Sequence, residues 1–403
     1  MYRKILTVMP AVLAVCCACS TVPGPYRALP LPENEQTAEQ LHLTEQAAQQ
    51  PFAGAWVPYF VCEELFADPD EAVCRDAVRQ VLQNLKNCGI RSVFVHVCAF
   101  GEAGYPSAYY PQNPALGGHD MMQFFTDICK ETGMELHAWI NPLRLQTESK
   151  MRAQTGDALL CQQFHDDAGS AFAYWDGRYY LNPAAESTGS FLTGVITELI
   201  ERYHPAGIHI DDYFYPTESP AFDAAAFAAS GETDLAEWRR SQITALVRQM
   251  YRAVHSADDK AVFSVSPQGD LQKNRDSLYA DIPLWMRDGA CADLIIPQLY
   301  FGYRNETMPF AEMLAEWRSL PRAEHVRLAA GLAAYKTGKP DENAGSGAQE
   351  WVAEPDTIVR QTEDVCGDSS FDGVVFYHVD TLPEAVRDAL CKVLQQANSH
   401  DII

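Results

Sequence analysis

The run Ala77-Val78-Arg79-Gln80-Val81-Leu82-Gln83-Asn84-Leu85-Lys86-Asn87-Cys88-Gly89-Ile90-Arg91-Ser92-Val93-Phe94-Val95-His96-Val97-Cys98 changes period half-way. Ala77, Val78, Val81, Leu82 and Leu85 recur at the spacing of a helix with one apolar face. Gly89 stands where such a helix stops. Ser92–Cys98 then reads as a strand rich in β-branched and aromatic residues. A helix feeding a buried strand through a short glycine turn is half of a βαβ unit.

The same rhythm extends in both directions. Strands are expected at Gly54–Tyr59, Ser92–Cys98, Glu135–Asn141, Gly207–Asp212, Ala261–Ser266, Asp293–Leu299, Arg327–Leu332 and Gly373–Val379. Helices are expected at Asp70–Asn87, His119–Thr132, Ser187–Tyr203, Asp234–His255, Ile282–Arg287, Pro309–Ser319, Asp356–Cys366 and Leu382–Gln395. Strict alternation implies parallel strands joined by right-handed crossovers. Eight units without a glycine-rich dinucleotide turn after the first strand favour an α/β fold of the closed (β/α)8, TIM-like type over an open doubly wound sheet. The longest insertions follow the third and fourth strands and should lie at one end of the barrel.

Lys plus Arg number 30 against 54 Asp plus Glu, a formal charge of −24. That balance argues against a nucleic-acid partner, whose phosphates require cations. The longest apolar stretch is at the extreme N-terminus, which excludes a polytopic membrane protein. There, Arg3 and Lys4 precede Ile5–Ala18, the pattern of an export signal. A small residue directly before a cysteine favours Cys19 as the lipidated residue of a lipoprotein, with ordinary signal cleavage as the alternative. The expected division is a signal over 1–19, a flexible tether over 20–51 rich in Ala, Gln, Glu and Pro, and a barrel over 52–403. The chain is thus expected to be exported and held by a lipid anchor at the cell surface or in the periplasm, with a monomer as the default state.

Three of the twelve cysteines belong to the signal, and the remainder form no C-x-x-C pair, so structural zinc has no support. Cys88, Cys98 and Cys129 read as buried small hydrophobes, and no disulfide is assigned.

Barrel enzymes carry their chemistry where the strands end. Strand four reads Gly207-Ile208-His209-Ile210-Asp211-Asp212-Tyr213-Phe214-Tyr215-Pro216, and alternation puts His209 and Asp211 on one face. A carboxylate facing the interior is costly unless paired or used. Asp212 falls on the other parity and could cap the loop or anchor an arginine instead. Strand three reads Glu135-Leu136-His137-Ala138-Trp139-Ile140-Asn141-Pro142-Leu143-Arg144. His137, Trp139 and Asn141 share one parity, an aromatic platform between hydrogen-bonding groups suited to sugars; His137 could equally be a satisfied core histidine. Arg144 could orient a carboxylate. Glu102, in the loop after strand two, could approach a substrate or simply be solvated. Gln298 and Tyr300 end strand six on one parity, and the ends of strand five, Ser264-Val265-Ser266-Pro267, and of strand eight, Tyr377-His378-Val379-Asp380, are weaker subsite candidates.

These residues resemble a known family. His137-Ala138-Trp139-Ile140-Asn141-Pro142, Tyr180-Leu181-Asn182-Pro183, His209 to Pro216, Ile296-Pro297-Gln298-Leu299-Tyr300 and Gly104-Tyr105-Pro106-Ser107 look like the bacterial glycosyl-hydrolase-like family 10, in family order across the body. The resemblance implies a TIM-like barrel, export as a lipoprotein, and hydrolysis of glycosidic bonds in cell-wall glycan (peptidoglycan) or a related polysaccharide. It carries over Asp211, Asp212, His137, Asn141, Arg144, Gln298 and Tyr300 as cleft residues.

Glycoside hydrolysis generally needs two carboxyl groups, one to protonate the leaving oxygen and one to attack or activate water. Asp211 is expected to be the nucleophile or base, kept ionised by His209 or Arg144. Asp212 and Glu102 are the candidates for general acid. His137, Trp139, Asn141, Arg144, His209, Tyr213, Gln298 and Tyr300 are the expected substrate-binding residues, and the polysaccharide needs no cofactor. Two other readings stand beside this one. A non-catalytic glycan-binding barrel would keep the aromatic cleft without a competent acid. A metal-dependent hydrolase or deacetylase would use His96, His137 and His209, on three successive strands, although neither His-x-His nor His-Glu-x-x-His occurs.

Overall fold

The computed structural model describes residues 52–166, 171–378 and 382–397. The export signal, Cys19, the tether, and Val379 and Asp380 at the end of strand eight lie outside the described residues.

The glycine turn between Asn87 and Ser92 is built as expected. Gly89 has φ +91°, and the Ile90 N–H donates back to the Leu85 carbonyl at 3.1 Å, closing the helix before the strand. In chain order the elements are β1 Phe52–Val57, α1 Tyr59–Leu65, α2 Glu71–Asn87, β2 Ser92–Ala99, β3 Glu102–Ala103, α3 Met121–Thr132 and β4 Glu135–Ile140. An insertion follows, comprising β5 Arg144–Thr147, α4 Glu148–Ala153, α5 Leu159–Asp166, β6 Phe172–Trp175 and β7 Arg178–Leu181. Then come α6 Glu186–Tyr203, β8 Gly207–Ile210, α7 Ala224–Ser230, α8 Leu235–Ala257, β9 Val262–Val265, α9 Leu271–Asp276 and α10 Ile282–Asp288. The chain continues through β10 Leu294–Ile295, α11 Phe310–Arg318, β11 Arg327–Leu332, α12 Glu350–Ala353, α13 Thr357–Cys366, β12 Gly373–Phe376 and α14 Glu384–Ala397.

Eight strands run parallel in the order β1-β12-β11-β10-β9-β8-β4-β2, and β1 pairs with β2 to close the ring. The TIM-like barrel expected from the alternation is therefore present. Aspartates start several of the helices: Asp70, Asp120, Asp234, Asp270 and Asp281 each accept a first-turn backbone N–H. The insertion after β4 carries a separate antiparallel sheet, β5-β7-β6. It shares one barrel end with the loop after β8, because the Arg144 guanidinium of β5 lies 4.6 Å from the Tyr213 ring.

Two cores result. Helices pack around the outside of the strands, while Trp56, Phe94, Trp139, Leu294, Ile296, Ala329 and Val375 fill the barrel interior. Gly331 makes room for this filling, since a Cβ there would sit 2.9 Å from the Trp56 ring and from the Pro297 carbonyl oxygen. Cys88 departs from the sequence expectation. Rather than a free buried thiol it forms a disulfide with Cys391, joining the end of α2 to α14 across 303 residues. Cys98 and Cys129 are free and buried, as expected.

Candidate active site

Asp211 and Asp212 follow the last residue of β8, at the C-terminal end of the barrel. Because the extended strand stops at Ile210, the alternation rule no longer separates them, and both line one cavity of about 180 Å³. Its other walls are Trp56, Trp139, Tyr213, Ser266, Gln298, Tyr300 and Tyr377.

Asp211 is 3 % exposed and held by donors. The Trp139 indole N–H donates to Oδ2 at 3.0 Å, Asn141 Nδ2 donates to the same oxygen at 2.5 Å, and the Tyr213 backbone N–H reaches Oδ1 at 3.4 Å. Burial, reinforced by the Asp212 charge, pushes the Asp211 carboxyl well above the usual carboxylate range. Asp212 is partly exposed and takes amide N–H bonds from Gln268 at 2.8 Å and Gln298 at 3.1 Å. Burial raises its carboxyl too, while those two amides pull in the opposite direction. Both carboxyls are thus raised, and the Asp212 charge adds to the shift of Asp211.

The remaining predicted residues divide by height in the barrel. Gln298, Tyr300 and Tyr213 are on the cavity, Tyr213 with 44 % of its surface exposed. Trp139 is there as well, but one face of its ring is covered by His96, stacked at 3.8 Å and 8°. Asn141 acts on Asp211 through its amide. His209 is a correction. Its Nε2 accepts the Trp56 indole N–H at 3.0 Å and its Nδ1 pairs with Ser264 Oγ at 2.8 Å, leaving no nitrogen for a ligand or for Asp211. Burial lowers its pKa well below the usual value, so the ring is a neutral interior strut. His137 is a second correction. It is on the interior parity but near the start of β4, stacked on Phe94 at 4.5 Å, and lines a recess at the opposite mouth with Phe52, Ser92, Glu135 and Arg327. Burial pushes it down to about 3.

Arg144 does not pair with Asp211; it lies between the rings of Phe100 and Tyr213. Glu102 is not on the cavity of the paired acids. A short hairpin, β2 with β3, turns it into a small recess with Tyr59, His96 and Asn113, where Gln154 donates to it at 3.0 Å. Among the described residues, no group of three His, Cys, Asp or Glu side chains is arranged to hold a metal ion. Sequence reasoning missed Trp56 and Gln268. Gln268 continues the parity of Ser264 and Ser266, so reading that strand two residues further would have found it.

The chain is similar to known proteins. The family model for glycosyl hydrolase-like 10 proteins fits residues 66–351. The chain belongs to the glycosyl hydrolase-like 10 family. Relatives of this glycosyl hydrolase-like 10 protein include glycosyl hydrolase DigH of Escherichia coli (strain K12), 27% identical over 387 residues, covering 84% of this chain and 86% of that protein. Glycosyl hydrolase YngK of Bacillus subtilis (strain 168) is 26% identical over 344 residues, covering 77% of this chain and 65% of YngK. Among solved structures, the PgaB (BpsB) glycoside hydrolase domain from Bordetella bronchiseptica aligns with a TM-score of 0.55 at 14% identity, covering 85% of this chain and 98% of that one. At this identity the likeness is one of fold.

Proposed function

We propose that this glycosyl hydrolase-like 10 protein hydrolyses glycosidic bonds of bacterial cell-wall glycan, or a related polysaccharide, with Asp211 and Asp212 as its acid and base. The observation that carries the reading is the pair itself: two carboxyls, both raised by burial, on one aromatic-walled cavity at the C-terminal end of the barrel.

The donor pattern and burial support one assignment of the roles. Burial favours a protonated Asp211, and with Oδ2 occupied by Trp139 and Asn141 it is Oδ1 that delivers the proton to the leaving oxygen. Asp212, steadied by Gln268 and Gln298, keeps the negative charge, faces the developing positive charge at the anomeric carbon and takes the proton of an incoming water. This reverses the role first expected for Asp211, because no cation holds it ionised and burial favours its neutral form. Tyr213, Tyr300, Tyr377 and Trp56 supply apolar wall for sugar faces.

The N-terminal pattern supports export and a lipid anchor at Cys19, and the Cys88–Cys391 disulfide suits an oxidising compartment. Incubating the full chain with purified peptidoglycan and neutral polysaccharides, followed by mass analysis of products, tests the function. New reducing ends from cell-wall glycan support it; binding without cleavage would leave a glycan-binding barrel.

A further inference from the structure

Two cations of the β5–β7 insertion have no ion-pair partner among the described residues. Arg144 opens β5 and faces Tyr180 of β7, and Arg178 is two residues before Tyr180 on the same strand face. Both guanidiniums lie over the ring of Phe100, Arg144 at 4.9 Å and Arg178 at 5.4 Å. Arg144 also covers the Tyr213 ring, which shares the cavity wall with Asp211 and Asp212. In a chain with 54 acids and 30 bases, no carboxylate among the described residues lies within 4.0 Å of either arginine.

Placing like charges together has a cost, which the aromatic rings offset in part and an anionic ligand would offset further. Burial and the neighbouring Arg144 pull Arg178 below the ordinary arginine range. Arg178 spends one N–H on the Leu145 carbonyl at 2.6 Å, which fixes its plane and leaves its other donors open. Their aromatic base is strained as well: Phe100 has φ +55°, a left-handed conformation that a bulky residue rarely adopts. Planar guanidiniums on a fixed aromatic floor are suited to a carboxylate, which they grip with paired N–H bonds.

We propose that Arg144 and Arg178 form a subsite for a carboxylate carried by the glycan, on the Tyr213 side of the paired acids. The inference rests on the glycan-hydrolase reading and narrows its substrate to an acidic sugar. Two sources share this chemistry: the lactyl ether carboxylate of an amino sugar in peptidoglycan stripped of its peptides, and the carboxylate of a uronic acid.

Binding can be separated from turnover in the Asp211→Asn protein. Its affinity is measured by calorimetry for peptide-free peptidoglycan strands, for the same strands with their carboxyls capped as methyl esters, and for a uronic-acid oligosaccharide. Capping is expected to weaken binding about tenfold or more. Arg144→Gln and Arg178→Gln should each shrink the preference for free over capped strands, and Arg178→Lys should keep part of it. The tighter of the two acidic ligands identifies the source. Equal affinity for free and capped strands overturns the subsite, as does a preference that survives in the double glutamine variant. Should a glutamine variant fail to fold, the capping comparison in the unaltered arginine background still decides. Wild-type chain that cleaves free and capped strands alike contradicts the subsite alone. Chain that prefers free strands through the arginines yet cleaves neither contradicts hydrolysis alone.

Discussion

The indole N–H of Trp139 donates to Oδ2 of Asp211 at 3.0 Å, while His96 stacks on one face of the same ring at 3.8 Å. A residue that sequence reasoning cast as a sugar platform therefore also sets the chemistry of the acid. A donor to a carboxylate favours its charged form.

Trp139→Phe keeps a ring but deletes that donor, so the Asp211 carboxyl should rise further. If Asp211 is the acid, the alkaline limb of the kcat/KM profile moves to higher pH, and turnover at neutral pH falls by about tenfold as the carboxyl loses its orientation. Asn141→Ala should shift the limb in the same direction. The full pH–rate profile of each variant checks this.

Gln298→Leu removes an amide N–H from Asp212 Oδ1, leaving the group to hold its charge with Gln268 alone. The acid limb of the profile should then move up, with kcat lower by about tenfold or more. Movement of the alkaline limb instead would exchange the roles of the two aspartates.

The Asp211→Asn change should also stabilise the fold. The carboxyl's folded-state pKa is raised above its unfolded value, so the folded state binds the proton more tightly. Stability is therefore lost as pH rises from the unfolded value, about 4, towards the raised one. Asparagine removes that penalty, by about 1 kcal/mol or more for each unit of pKa shift. A higher Tm than wild type at neutral pH, with the difference closing as pH falls towards about 4, is the expected result.

Asp223 and Arg239 are fully buried and bonded at 2.6 Å, and Arg239 also donates to the Thr217 and Ser219 carbonyls and to Tyr279 Oη. This pair ties the loop after β8 to α8. Asp223→Ala strands a buried guanidinium and should cost about 3–5 kcal/mol, measured by urea unfolding.

How much of this was legible in the sequence depends on what alternation can say. Period and turn residues marked all eight strands, and parity put Trp139 on the interior, where it helps to fill the barrel. Parity gives a face but not a height, so His137, near the start of β4, was taken for a cleft residue although it lines the far mouth. It also ends with the strand: Asp212 joined Asp211 on one cavity because β8 stops at Ile210. Glu102 was displaced by a hairpin only two residues long, and Cys88–Cys391 spans 303 residues with no local signal.

The most direct test of the central claim is reducing-end release from peptide-free peptidoglycan strands by wild type and by Asp211→Asn, at matched folding and matched strand binding. Wild type is expected to release new ends, with the variant slower by about a thousandfold or more. Equal release by both proteins would remove Asp211 from the chemistry and contradict the account.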